Sequence, residues 1–557
     1  MPLPFILLLP LVIAVLPMLA DNVRSSGAGS AGTERVSVDS AGNQGNNTSY
    51  SEAISADGRF VVFESGASNL VLNDTNYFCD IRGDYVPDEN CADVFVHDRL
   101  TGVTERASVD GAGNEANGAS GAPDISADGR FVAFVSSATN LVAGDTNNFL
   151  DVFVHDRLTG TTERVSVDSA GNPANVETFG PLSISADGRL VAFRSAATNL
   201  VPGDTNDWED VFVHDRLTGV TERVSVDSAG GQADLLSDHF DISEDGRFVV
   251  FNSFATNLVP GTMNGYGDVY VHDRLTGTTE RVSVDSLGNE GDNASMDPAI
   301  SSDGRFVAFS SYASNLVPGD ENGVRDVFVH DRATGVTELI SAGDHAGGYS
   351  GPSFLPSLNS DGRFVAFGSA ASNLVSGDTN GTNDSFVHDR QTGITTRVST
   401  SSAGGQGNGH SGSSPGPDIS ADGRFVAFSS NATNLVPGDT NQRWDAFVRD
   451  LGDADGDGQW DPFDPCPTAS DCDADSFDDG IEMLVGTDPL ISCGPGAWPP
   501  DADDDQDSDI GDVIILFSGR ILNPPSYVAR SDFDADGNID IGDVIIAFGG
   551  TILTSCS

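Results

Sequence analysis

Short apolar runs separated by polar turns occupy residues 33–450 of this 557-residue chain. In one copy of the pattern, residues 131–134 and 152–154 are rich in β-branched and aromatic residues, which favour strands. Residues 162–167 alternate polar and apolar side chains, as a half-exposed strand does. No apolar spacing of helical period occurs in this copy. The pattern therefore predicts about four short strands per copy and no helix.

Three short motifs mark each copy of this repeat. An Asp-Gly-Arg turn, which suits a tight hairpin, starts at Asp57, Asp128, Asp187, Asp245, Asp303, Asp361 and Asp422. Apolar runs of the type Asp-Val-Phe-Val-His-Asp-Arg start at Asp93, Asp151, Asp210, Asp268, Asp326, Asp384 and Asp445. A Thr-Glu-Arg-Val-Ser-Val stretch follows only the first six runs. Its seventh copy stands at Thr33, ahead of the first turn.

A strand displaced to the N-terminus has a use in a closed ring, where it completes the last repeat. Seven repeats of four strands therefore predict a mainly β protein, a seven-bladed β-propeller over residues 33–450 closed by its N-terminal strand. Closure also protects sheet edges that would template aggregation. The pattern resembles the TolB-like and WD-repeat-like propellers of bacteria. That resemblance implies a fold and says little about function.

The chain is strongly acidic, with 84 Asp and Glu residues against 27 basic ones, a net charge of −57 and no lysine. Such a field repels phosphate backbones and anionic membrane surfaces, which argues against nucleic acid as a partner. Residues 451–557 alone hold 24 acidic residues and 2 arginines. We expect cations to neutralise so much like charge in a compact domain.

Residues 1–20 are apolar and uncharged, and they precede Asp21. This predicts a secretory signal and a secreted or cell-surface, extracytoplasmic location in a bacterium. A retained membrane anchor is the alternative, although Pro10 and Pro17 interrupt it, and no later run approaches membrane-spanning length. Six cysteines group as Cys79 with Cys91, Cys466 with Cys472, and Cys493 with Cys556. The grouping suggests three disulfides, but the sequence leaves their connectivity open.

Two twelve-residue segments near the C-terminus carry oxygen ligands at alternate positions, which converge only if the chain wraps a hard cation. The second segment has the sharp-turn Gly537, whereas the first has Gln506 there and is the looser loop. The predicted Ca²⁺ ligands are Asp501, Asp503, Asp505, Asp507 and Asp512 in the first loop, and Asp532, Asp534, Asp536, Asn538 and Asp543 in the second.

Matching apolar segments at 510–515 and 541–546 predict one helix after each loop. A duplicated loop and helix with Asp at position 12 resembles a type I dockerin, which implies a small C-terminal calcium-binding α module at 491–557. The resemblance further implies a cohesin-like or cell-surface protein partner. The chain departs from the family at loop positions 10 and 11, where Ile-Gly stands in place of the Ser and Thr often used for partner recognition.

A second acidic module lies at 451–490. It is similar to thrombospondin type 3 repeats, which act as calcium-stiffened spacers. The resemblance implies metal ligands among Asp453, Asp455, Asp457, Asp461, Asp464, Asp473, Asp475, Asp479 and Glu482. For this module and for the dockerin-like loops, the alternative is a solvated, disordered acidic linker.

Several propeller residues have catalytic chemistry. One histidine recurs in six blades, where a shared structural hydrogen bond is favoured because a catalytic residue is needed only once; these are His97, His155, His214, His272, His330 and His388, with Arg449 in the seventh blade. The recurring loop at 204–206 could hold calcium or cap backbone amides. Asp124, Asp241 and Asp418 are dispersed around the ring, so the adjacent carboxylates of a glycosidase are not evident.

Two function classes remain open. The favoured class is a secreted, calcium-binding, non-catalytic protein whose propeller takes a glycan or peptide ligand and whose tail docks to a partner. The alternative is a polysaccharide-degrading propeller enzyme, a glycoside hydrolase or lyase, because dockerins commonly accompany such enzymes. Near identity of the blades argues against an active site. The insertion at 73–90 breaks that symmetry in blade one.

Overall fold

The computed structural model describes residues 31–464 apart from 77, 80–87, 90, 148, 179, 262–263, 321, 344–349, 413–415 and 455–458. Ser30–Gly452 and Gln459–Pro467 form one compact unit. All regular elements within the described ranges are strands. No helix there has the length and apolarity needed to cross a bilayer. The predicted signal segment and the dockerin-like module at 491–557 lie outside these ranges.

Seven four-stranded antiparallel sheets follow one another along the chain, which confirms the seven-bladed propeller. From the channel outwards, the strands are Ser49–Ile54, Phe60–Ser65, Asp93–Asp98 and Val103–Arg106 in blade one; Ser120–Ile125, Phe131–Ser136, Asp151–Asp156 and Thr161–Arg164 in blade two; Leu182–Ile184, Leu190–Ser195, Asp210–Asp215 and Val220–Arg223 in blade three; Ser237–Ile242, Phe248–Ser253, Asp268–Asp273 and Thr278–Arg281 in blade four; Ser295–Ile300, Phe306–Ser311, Asp326–Asp331 and Val336–Leu339 in blade five; Ser353–Leu358, Phe364–Ser369, Asp384–Asp389 and Ile394–Arg397 in blade six; Asp418–Ile419, Phe425–Ser430, Asp445–Asp450 and Gly32–Arg35 in blade seven. Phe78–Cys79 pairs with Asp88–Glu89 inside the insertion of blade one.

The outer strand of blade seven comes from the N-terminus, as the displaced motif predicts. Gly32–Arg35 runs antiparallel to Asp445–Asp450, with Thr33 opposite Arg449. The Thr33 hydroxyl donates to the carbonyl of Thr400 in blade six at 2.5 Å. Val36 is fully buried among residues of blades seven and one. Both backbone pairing and apolar burial therefore close the ring.

The Asp-Gly-Arg turn joins the first two strands of each blade and also contacts the blade before it. Gly129 has a φ of +71°, and a Cβ at this position would lie 2.1 Å from the ring of Phe60 in blade one. Only glycine satisfies both conditions. Arg130 next to it donates two hydrogen bonds to Asp156, at 2.8 and 2.7 Å. These bonds hold the pKa of Asp156 well below its ordinary value.

The core lies between consecutive blades. Within blade two, Phe134 and Phe153 stack with ring centroids 6.0 Å apart, and the other blades repeat the pair. One apolar cluster joins Val152 and Val154 of blade two to Phe193 of blade three, and similar clusters join other neighbouring blades. Each sheet thus buries both faces, which explains the nearly continuous apolar runs of the second and third strands.

Candidate functional site

One end of the central channel has backbone hydrogen bonds between neighbouring blades. We call it the turn end, because the Asp-Gly-Arg turns lie there, and the opposite end the mouth. In six blades, the residue before the turn donates its backbone N–H to the carbonyl of the same residue in the next blade. These bonds run from Ala56 to Ala127, Ala127 to Ala186, Ala186 to Glu244, Ser302 to Ser360, Ser360 to Ala421 and Ala421 to Ala56, at 3.0–3.1 Å.

Three aspartates face a cavity of about 160 Å³ inside the channel near the turn end. Each accepts a backbone N–H from the following blade. The bonds join Asp124 to Ile184 at 2.8 Å, Asp241 to Ile300 at 3.0 Å, and Asp418 to Ile54 at 2.9 Å. The three lie in blades two, four and seven, dispersed around the ring as the sequence indicates, and the curvature of the ring brings all of them to this one cavity.

Burial and mutual repulsion make these carboxyls hard to ionise. Burial raises the pKa of Asp124 to about 7, and the charges of Asp418 and Asp241 add to the shift. Burial likewise raises the pKa of Asp241 to about 6 and that of Asp418. All six carboxyl oxygens nevertheless accept a hydrogen bond from the protein. The trio therefore ties blades together around the channel.

Glu52 is a buried acid that sequence reasoning missed. Its side chain is in blade one, where burial raises the pKa to about 8 and the charge of Asp418 contributes. The residue is only 4% exposed, and neither carboxyl oxygen makes a hydrogen bond of good geometry within the described ranges. The sequence does hold a signal, because the other six blades have an apolar residue or proline there: Pro123, Leu182, Phe240, Pro298, Pro356 and Pro417.

The mouth is where the nearly identical blades differ. The second strands share most residues but vary at the penultimate position, which holds Glu64, Val135, Arg194, Asn252, Ser310, Gly368 and Ser429. In blade one, the Glu64 carboxylate accepts the backbone N–H of Ala122 in blade two at 3.1 Å. The variable position therefore contacts the inner strand of the next blade at the mouth.

A group of ion-paired side chains lies at the mouth end of blades three to five. Arg194 of blade three lies 3.3 Å from Glu209 and also bonds Asp238 of blade four. Asp238 in turn lies 3.3 Å from His239 Nδ1, and this hydrogen bond raises the pKa of the imidazole. The His239 side chain is 44% exposed. The arrangement offers donors, acceptors and a titratable imidazole to a ligand entering the channel.

The inner strands of five blades share a bulge in the backbone, and two of these bulges lie beside the charged group. The inner strands of blades four and five each contain a register shift, between Asp238 and Phe240 and between Met296 and Ala299. Within these shifts His239 has a φ of 21° and Asp297 one of 52°. Blades one, two and six have the same shift, with Ser51, Ala122 and Leu355 at positive φ, so the bulge belongs to the repeated fold and does not mark the charged group. Asp297 also pairs with Arg325 at 3.2 Å.

The recurring histidines have the structural role predicted for them. In blade two, His155 Nδ1 lies 2.9 Å from the Thr162 hydroxyl, which donates to the carbonyl of Val109 in blade one at 2.5 Å. The same His–Thr contact occurs for His97, His214, His272, His330 and His388. Burial lowers the pKa of His155. Arg449 replaces the histidine in blade seven and bonds Thr33, so the contact between blades is kept.

Arginine occupies the recurring loops that the sequence offered as calcium sites. Arg223 Nη1 lies 3.4 Å from Asp204 and 3.2 Å from Asp210 in blade three. Asn206 caps the backbone N–H of Trp208. Equivalent ion pairs involve Arg35, Arg106, Arg164, Arg281 and Arg397. In blade one, Arg106 contacts all three members of the carboxylate group Asp74, Asp93 and Glu115. The carboxylates of these loops thus have arginine as their ion-pair partner.

The calcium ligands predicted in the tail mostly lie outside the described residues. That holds for both loops, 501–512 and 532–543, and for 455–457 and 473–482. Asp453, Asp461 and Asp464 are described. Within the described ranges, they do not belong to a cluster of three or more acidic, histidine or cysteine side chains close enough to share a metal ion. Cys91 is buried, but the side chain of Cys79 lies outside those ranges, so their disulfide stays a prediction.

The chain has distant neighbours among solved structures. No family model and no curated protein matches the chain. An oligogalacturonate lyase in complex with manganese is 14% identical over 77% of this chain and 95% of its own, with a TM-score of 0.46. A putative TolB from Agrobacterium tumefaciens is 17% identical over 53% and 80%, with a TM-score of 0.31. TolB from Acinetobacter baumannii is 15% identical over 65% and 76%, with a TM-score of 0.33. The seven four-stranded sheets make the protein a seven-bladed β-propeller, and likeness at this level adds no argument about function.

Proposed function

We propose that the protein is an extracytoplasmic, non-catalytic binding protein whose propeller takes its ligand at the mouth of the channel. One observation carries this proposal: the side chains at the penultimate position of the second strands differ between nearly identical blades, and those of Glu64 and Arg194 contact the next blade at the mouth. Residues that the blades share already have fold-building contacts, such as the His155–Thr162 bond. Variation gathered at one end of a repeated scaffold is what a ligand-specific surface requires.

The charged group at the mouth also fits binding better than catalysis. Arg194, Asp238, Asp297 and Arg325 are held in ion pairs, which presents fixed donors and acceptors to a ligand. A glycan or peptide without strong negative charge suits this surface, because the net charge of −57 repels polyanions.

The tail supplies the second half of the proposal. Carboxylates at alternate positions in 501–512 and 532–543 support Ca²⁺ as the cofactor that folds a dockerin-like docking module. The acidic segment 451–490 serves as a calcium-stiffened spacer. The apolar residues 1–20 direct export, and the grouped cysteines form disulfides outside the cytoplasm.

A glycan array and a peptide array test the propeller directly. Full-length protein should bind a limited set of ligands, and Arg194→Ala and His239→Ala should each weaken that binding about tenfold or more. Leu158→Ala is the matched control, because Leu158 is exposed at the turn end of blade two. Equal binding by all three variants would refute a site at the mouth.

An enzyme is the second candidate, and Glu52 is the observation that favours it. Glu52 is a buried acid with a pKa of about 8 near the carboxyl of Asp418, and a group that stays protonated at neutral pH could act as a general acid. The same burial argues against this role, since Glu52 is only 4% exposed and cannot reach a substrate without movement. Reducing-end assays on polysaccharides with wild type and Glu52→Gln decide between the two: turnover lost in the variant would establish the enzyme.

A further inference from the structure

Four large aromatic side chains stand exposed at the mouth end of blades three to five. Trp208, Phe254, Tyr266 and Tyr312 are between 44% and 48% exposed. Apart from Tyr50 in blade one, they are the only aromatics among the exposed large hydrophobics of the described ranges. Trp208 and Tyr266 occupy matching loop positions, and Phe254 and Tyr312 both directly follow a second strand. Exposed aromatics gathered on one edge mark an interaction surface.

Backbone contacts place the four side chains in one row along the rim. Glu209, next to Trp208, accepts the N–H of Ser237, and Leu236 accepts the N–H of Phe254. The ring of Phe254 lies over Gly267, where a Cβ would be 3.3 Å from ring carbon Cζ. In the next blade, Gly267 accepts the N–H of Ser295, and Ala294 accepts the N–H of Tyr312. The row therefore runs Trp208, Phe254, Tyr266, Tyr312 across three blades.

The loops that carry the row are fixed. The N–H of Trp208 donates to the side chain of Asn206 at 3.1 Å, and the N–H of Tyr266 donates to Asn264 at 2.7 Å. Asn206 donates in turn to the carbonyl of Ala233 at 2.8 Å. A surface held in this way loses little conformational entropy when it binds.

We infer that this row, the rim platform, binds a neutral polysaccharide by stacking sugar rings on its aromatic faces. A pyranose ring has an apolar C–H face and a hydroxyl edge. The aromatics match the face, while the adjacent ion pairs Arg194–Glu209 and Arg325–Asp297 supply donors and acceptors for the hydroxyls. The inference deepens the proposed function and rests on it.

Charge selects among glycans. Arg194 and Arg325 are already paired with carboxylates, and the chain as a whole carries −57. A polyuronate would therefore meet repulsion without a free cationic partner at the platform, whereas an uncharged chain meets none. Because several stacking sites lie in a row, affinity should also rise with the number of sugar units.

Affinity gel electrophoresis of the full-length protein tests the platform, with hydroxyethylcellulose and mixed-linkage β-glucan as neutral probes and polygalacturonate as the anionic one. We expect retardation by a neutral probe only. Trp208→Ala and Tyr266→Ala should each weaken it about tenfold. The controls Leu217→Ala and Leu275→Ala remove exposed residues from the turn end of the same blades and should leave it unchanged. Equal melting temperatures would show that all variants fold.

Failure of the platform and failure of the binding function are distinguishable. Absence of retardation by either neutral probe, preference for polygalacturonate, or equal retardation of the aromatic and control variants would overturn the platform. So would a peptide ligand lost in the aromatic variants. If Arg194→Ala loses binding of an array ligand and Trp208→Ala keeps it, the rim platform is refuted and the binding site at the mouth is supported.

Discussion

Asp418 of blade seven accepts the backbone N–H of Ile54 in blade one at 2.9 Å, which closes the ring on its channel side. The N-terminal strand closes it on the outside, where Thr33 lies opposite Arg449. Ring closure thus includes contacts at the channel and at the outer edge of blade seven. The outer closure and the aspartates of the channel give separate predictions.

The outer closure depends on apolar burial by the N-terminal segment. Val36→Ala should lower the free energy of unfolding by about 2 kcal/mol. Val36 is fully buried, so the substitution removes apolar contacts and leaves a cavity that the surrounding residues fill only in part. Denaturant titration measures this effect. Val103→Ala, at an exposed position, is the control and should change little. An unchanged unfolding midpoint for Val36→Ala would show that the N-terminal strand does not hold the ring.

The buried aspartates around the channel predict a pH dependence of stability. Burial raises the pKa of Asp124 from 3.8 to about 7, so the folded state holds a proton that the unfolded state releases. The protonated carboxyl stabilises the fold fully below pH 3.8, and this contribution is lost as the pH rises through 7. Asp124→Asn should therefore flatten the fall in stability across this range. Parallel curves for variant and wild type, from denaturant titration at several pH values, would contradict the assignment.

The recurrent histidines should act with the opposite sign. Burial lowers the pKa of His155 below 6.5, so the unfolded state binds the proton more readily. Stability contributed by this group is present above pH 6.5 and is lost as the pH falls through the folded-state value. His155→Ala should have a lower melting temperature than wild type at pH 7. On acidification, its stability should fall by less than that of wild type. Ligand binding by His155→Ala should stay unchanged, since His155 lies away from the mouth. Loss of binding with intact folding would argue for a functional histidine.

Blade five allows a gain of stability. Leu339 stands where other blades have the arginine that pairs two aspartates, and Asp320 has its pKa raised to about 6 by burial and by Asp326. Leu339→Arg should add about 1 kcal/mol at pH 7, where both carboxylates are ionised, and nothing at pH 3.5. Leu339→Gln is the matched uncharged control. A gain equal for both variants, or the same at both pH values, would show that ion pairing is not the cause.

Calcium should fold the tail. Isothermal titration of the full-length protein with Ca²⁺ should show binding that Asp532→Ala reduces, because position 1 of the second loop loses its ligand. Asp504→Ala is a matched control, since Asp504 lies at an even position of the first loop. Calcium should also protect residues beyond 490 from limited proteolysis. Equal calcium stoichiometry for wild type and Asp532→Ala, together with proteolysis that is the same with and without the ion, would support an acidic linker instead.

The sequence predicts the ring because every blade repeats the same local signals, and the displaced copy at Thr33 reveals closure without any distance information. The site is harder to predict. Convergence of Asp124, Asp241 and Asp418 depends on the curvature of the ring, which no single repeat encodes. The ion pairs of Arg223 with Asp204 and Asp210 depend on the direction in which the arginine side chain leaves the outer strand, which the repeat pattern does not show. Glu52 was detectable in principle, as an acid at a position that is apolar or proline in the other blades.

The central claim is that ligand specificity lies at the mouth, where the blades differ. A glycan array probed with wild type, His239→Ala and Leu158→Ala tests it most directly. The account predicts that wild type and Leu158→Ala bind the same glycans, that His239→Ala loses them, and that no glycan is cleaved. Glycan binding indifferent to His239, or cleavage abolished by Glu52→Gln, would contradict it.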